Sequence, residues 1–109
     1  MSFEVRTIEP FDRKVKRLLR KYPSLQADLR RLGELLAVVP TSGTPIGAGC
    51  YKVRLAISSK GKGKSGGARL ISYVVVRNKR VWLLTIYDKS ELDSVPLSEV
   101  KALLKFIPA

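Results

Sequence analysis

Two residues, Asn78 and Lys79, are all that separate the apolar runs 69–77 and 80–87. That spacing allows only a tight turn, so the two runs must pair antiparallel, because a parallel return needs a crossover of a dozen or more residues. A third β-rich run covers residues 50–57 and begins after the turn-rich loop 41–49, which carries Gly43, Pro45, Gly47 and Gly49. The middle of the chain is therefore expected to be an antiparallel sheet of three strands.

Helices flank it. Phe3, Val5 and Ile8 alternate as a short first strand, and Pro10 suits the first turn of the helix that follows, where its missing N–H would have been unpaired in any case. Phe11, Val15, Leu18, Leu19 and Tyr22 recur at helical spacing, Pro23 and Ser24 break the pattern, and a second helix carries Leu25, Leu29, Leu32, Leu35 and Leu36 as far as Pro40. Val100, Leu103, Leu104 and Ile107 mark a last helix over 97–107. The expectation is one α+β domain over residues 1–109, a helical hairpin packed on a twisted, mainly antiparallel sheet and closed by a C-terminal helix.

Charge narrows the function. The chain carries 21 Lys and Arg against nine Asp and Glu, a net charge of +12, and residues 35–87 contain nine of the cations and no acid. Such a field gathers polyanions, with nucleic acid first and an acidic protein second. No apolar run is long enough to suggest a membrane span, no secretory signal is evident, and one cysteine, Cys50, suits a reducing cytoplasm.

Strand parity sorts the side chains. Val53, Leu55, Leu70, Val74, Val76, Trp82, Leu84 and Ile86 are expected on the face against the helical hairpin. Lys52, Arg54, Arg69, Tyr73, Thr85 and Tyr87 share the other face with Lys89 just beyond it, together with Ile71, Val75, Val81 and Leu83, so part of that face must be covered. A β-bulge would upset this sorting.

The segment 60–69 reads Lys-Gly-Lys-Gly-Lys-Ser-Gly-Gly-Ala-Arg. Its glycines match G-x-G-x-x-G, but strands rather than a strand and a helix flank them, so neither a dinucleotide fold nor a Walker loop is implied. Lys60, Lys62 and Lys64 remain as candidate ligands of a phosphodiester chain, with Tyr73 and Tyr87 as candidate base-contacting aromatics. There is no histidine. An imidazole acid and base are impossible, a His or Cys zinc site is excluded, no metal or organic cofactor is implied, and any phosphodiester cleavage would work through cations and tyrosine.

These residues resemble the RelE/ParE superfamily of toxins from bacterial type II toxin–antitoxin modules, and most of all the HigB-like branch. The resemblance rests on the lysine-rich first helix, Tyr22-Pro23-Ser24-Leu25, Gly49-Cys50-Tyr51-Lys52-Val53-Arg54, Gly61-Lys62-Gly63-Lys64-Ser65-Gly66-Gly67-Ala68-Arg69, and Ile86-Tyr87-Asp88-Lys89-Ser90-Glu91. It implies a microbial-ribonuclease-like fold and ribosome-dependent, metal-independent cleavage of messenger RNA, held off by a cognate antitoxin. It also implies roles. Lys52 and Arg54 match a basic pair for proton transfer and phosphate binding, Arg69 an arginine on the scissile phosphate, and Lys89 a cation near the leaving group. Several relatives carry lysine where Arg54 stands, and some place a stacking tyrosine in the last helix, where this chain has only Phe106. The alternatives are a gyrase-poisoning, ParE-like toxin acting by protein binding, and a non-catalytic nucleic-acid-binding module.

Overall fold

The computed structural model describes residues 2–61, 63 and 66–108. β1 (Glu4–Thr7) leads into α1 (Glu9–Lys21) and α2 (Leu25–Val38), followed by β2 (Thr44–Gly47), β3 (Cys50–Leu55), β4 (Ala68–Val75), β5 (Arg80–Asp88) and α3 (Leu97–Leu103). Short 3-10 turns stand at Ser58–Lys60 and Leu104–Phe106. The strands form one sheet in the order β1-β5-β4-β3-β2, in which β1 alone runs parallel to its neighbour. The α+β architecture expected from the sequence is the one observed.

α1 starts with proline in its first turn, with Glu9 and Asp12 near its positive end and Arg20 and Lys21 near its negative end, so side-chain charge complements the backbone dipole at both termini. It buries Phe11 and Leu18 and packs on β5. α2 reaches β1 and β3 and buries Leu25, Leu32 and Leu36 together with Asp28, which takes a place on the stripe that sequence periodicity assigns to leucines. Leu35, expected on that stripe, is 48% exposed.

The loop expected over 41–49 contains an edge strand. β2 pairs antiparallel with β3, Thr44 opposite Lys52 and Gly47 opposite Cys50. An edge position accepts Pro45, whose missing N–H weakens only a central ladder. The turn between β4 and β5 is also longer than two residues: Val75 pairs with Arg80, Val76 is 72% exposed in the turn rather than in the core, and Lys79 takes a left-handed φ of 54°.

Parity holds over only half of β5. Ile71 faces Thr85 but Ser72 faces Leu83, so Leu84 is an extra residue in the ladder. Below this bulge the alternation inverts. Val81 and Leu83 share a side with Val74 and Ser72, and Trp82 shares a side with Tyr73, the reverse of the expected arrangement. The inversion leaves no residue stranded in water, because β5 is buried from Val81 to Asp88, with α1 and α3 both packed against it.

Candidate nucleic-acid interface

Above the bulge the expected parity survives and assembles a row. Arg54 stands opposite Arg69 on the neighbouring strand, and Arg69 stands opposite Tyr87 on the next. Neighbouring strands lie about 4.8 Å apart, so three candidate side chains rise from one line across β3, β4 and β5. Lys52, Ile71 and Thr85 form the next row on the same face. Lys52, Arg54, Arg69 and Tyr87 are thus brought together.

Their exposure is graded. Arg54 is exposed, Lys52 half-buried, and Arg69 and Tyr87 are buried beneath them. Arg69 donates to its neighbour's carbonyl at Ala68, 3.2 Å away. The cover over Tyr87 comes from the segment leading into α3: Ser94, Val95 and Leu97 enclose a small cavity of about 70 Å³ with Lys52, Ile71 and Tyr87. The Tyr87 hydroxyl is buried without a hydrogen-bond partner among the described residues. Burial pushes its pKa up, the nearby Arg69 charge pulls it down, and Asp93 adds to the rise.

Lys89 follows the row at the end of β5 and meets Asp93 at 3.5 Å, a surface pair with Asp93 95% exposed. An ion pair of this kind is weakly held and yields readily to a phosphate. Tyr73 is not part of the cluster. It pairs with Cys50 and Trp82, four residues along β4 from Arg69, or about 13 Å of strand.

Lys60 has a different occupation from the one its loop suggests. Its ammonium is 2.7 Å from an Asp88 carboxylate oxygen and 2.8 Å from the Gly66 carbonyl, with the two side chains only 11% and 0% exposed. Asp88 also accepts from Tyr22 at 2.6 Å and from the Ser90 amide and hydroxyl at 2.9 and 2.7 Å. Burial alone would raise the Asp88 pKa, but the Lys60, Tyr22 and Ser90 hydrogen bonds outweigh it and hold the carboxyl well below the usual carboxylate range. Burial would lower Lys60, and Asp88 outweighs that too, leaving the ammonium above the usual lysine value. Lys60 is therefore a buried partner and not an open phosphate ligand. Lys62 and Lys64 lie outside the described residues.

A second buried carboxylate holds the other side of the same segment. Asp28 accepts from the Ser58 amide and hydroxyl at 3.0 and 2.6 Å, from Ser24 at 3.0 Å and from Arg31 at 2.6 Å. Beside it lies a groove of about 720 Å³ whose lining, drawn from α2 and β3 and the residues that follow β3, includes Arg31, Ser58, Lys52 and Arg54. Arg31 is a groove cation that strand parity could not find, because it belongs to a helix. Its spacing of three residues from Asp28 was the available signal.

No family model matches the chain. A solved structure of a double arginine-to-alanine mutant of the E. coli toxin RelE in the free state is similar over 99% of this chain and 100% of that one, with a TM-score of 0.59 and 21% sequence identity. Helices on a five-stranded, mostly antiparallel sheet give the chain a RelE-type fold.

Proposed function

We propose that this chain is the toxin of a type II toxin–antitoxin pair, of the HigB-like branch, and that it cleaves messenger RNA on the ribosome by metal-independent phosphodiester chemistry. The row Arg54, Arg69, Tyr87, with Lys52 beside it, carries the reading. Two arginines on facing strands repel each other, and a phosphate between them turns that repulsion into attraction.

The chemistry assigned to them is transfer of a phosphoryl group to the ribose 2′-hydroxyl. Arg69, the deepest cation, would neutralise charge developing on the non-bridging oxygens, and Arg54 would hold the same phosphate from the open side. Arginine is always protonated and a poor base, so proton transfer falls to Lys52 or to a ribosomal group. Lys89 would release Asp93 and assist the leaving 5′-oxygen. An antitoxin with acidic character would cover this face, and the cytoplasm is where both partners would meet the ribosome.

The test is cleavage of mRNA on purified ribosomes, with translation arrest when the chain is expressed alone. Arg69→Ala is expected to lower the cleavage rate by about two orders of magnitude, the usual loss for one preorganised donor at developing charge, while the protein stays folded. Intact mRNA accompanied by supercoiling defects would select the gyrase-poisoning alternative instead.

A further inference from the structure

We infer that Asp88 is a positioning residue, which acts through Lys60 to clamp the neck of the segment between Lys60 and Gly66 and so sets Arg69 and Lys89 at the spacing one phosphate requires; the inference rests on the ribonuclease reading above.

The geometry is that of a knot with three strands of chain through it. Lys60, arriving from β3, places its ammonium on both Asp88 and the Gly66 carbonyl, so one group ties the two ends of the segment to each other and to the end of β5. The Lys89 amide then donates to the Gly67 carbonyl at 3.0 Å, and Ala68 pairs with Asp88. Gly67 itself has no space for a side chain, since a Cβ there would run into the Leu55 carbonyl oxygen. Two candidate phosphate ligands leave directly from this knot: Lys89 is the residue after Asp88, and Arg69 lies two residues after Gly67. Tyr22, which caps the C-terminus of α1, fills the other Asp88 oxygen and fixes the carboxylate's orientation.

A buried ion pair is a costly way to hold a fold together, because apolar side chains of similar volume often do as well or better. What it supplies that an apolar contact lacks is direction: hydrogen bonds of set length, aimed at set atoms. Displacing a catalytic group by about 1 Å can cost about a hundredfold in rate. A clamp one residue from Lys89 and one from Tyr87, the arginine's strand pair, is placed to prevent that.

The experiment compares the full chain with Asp88→Asn and with Lys60→Met/Asp88→Asn. The double variant removes both charges, while the carboxamide oxygen at position 88 can still accept from the Ser90 amide and hydroxyl and its NH2 can donate to the Tyr22 hydroxyl oxygen. It is expected to melt near the parent temperature, to bind ribosomes with unchanged affinity, and to cleave bound mRNA in single turnover about a hundredfold more slowly. Amide hydrogen exchange at Arg69 and Lys89 should quicken while that at Leu32 and Leu36 does not change. A folded double variant that cleaves at the parent rate, or whose Lys89 amide keeps the parent's protection, overturns the clamp. Failure of the ribonuclease reading looks different: the parent itself leaves ribosome-bound mRNA intact, and the exchange measurement alone then decides whether Asp88 and Lys60 order the neck.

Discussion

Arg54 and Arg69 face each other directly across β3 and β4. Among the described residues no carboxylate forms an ion pair with Arg54. Like charges in this relation destabilise a sheet by a few tenths to about 1 kcal/mol. Arg54→Gln is therefore expected to raise unfolding stability by about 0.5 kcal/mol and to reduce mRNA cleavage. Urea unfolding of both proteins at low and moderate salt checks this, and the gap should narrow as salt screens the pair.

Two glycines predict opposite responses to the same substitution. Gly67→Ala puts a methyl group against the Leu55 carbonyl, where backbone must give way, and should cost about 2 kcal/mol or more. At Gly33, inside α2, nothing lies within 4 Å of a new Cβ. Gly33→Ala should stabilise by about 1 kcal/mol, as helix propensity dictates. Thermal melts of the pair give the sign of each effect.

Tyr87→Phe removes a buried hydroxyl with no partner among the described residues. Loss of such a group leaves stability unchanged or raises it by about 1 kcal/mol. Cleavage is expected to fall, since Tyr87 shares the row with Arg69 and its phenol can donate to a phosphate oxygen held there. A phenylalanine variant with parental cleavage would reduce Tyr87 to a packing role.

The pH profile follows from the direction of each shift. Asp88 and Asp28 have folded values below the ordinary 3.8, so their contribution is complete above that value and is lost as pH falls through it toward the folded pKa. Lys60 is raised above 10.5 and Cys50 above 9.0, so their contributions are complete below those values and disappear as pH rises past the folded pKa. Stability should be flat from about pH 5 to about pH 9 and fall at both ends. In Asp88→Asn the acid limb should be shallower than in the parent, as read by denaturant midpoints from pH 2 to 6.

Hydrophobic periodicity determined the helices, the central strands and their antiparallel sense, because 3.6-residue and two-residue spacings are local properties of a chain. It also brought Lys52, Arg54, Arg69 and Tyr87 to one face, since each lies on the regular side of the bulge. Leu84 marks where that reasoning stops. A bulge is a choice made between two strands, and nothing in the run Val81-Trp82-Leu83-Leu84 shows which residue is the extra one.

The tertiary structure decided what the charges do. In sequence Lys60 is a loop cation and Asp88 a loop or helix-start residue, until β5, the glycine segment and the end of α1 meet and each becomes the other's partner out of water. Asp28 and Ser58 are likewise paired across 30 residues of chain. Sequence supplies the types of ionisable groups, but their burial and partners depend on long-range contacts, and those decide whether a lysine holds a substrate or holds the fold.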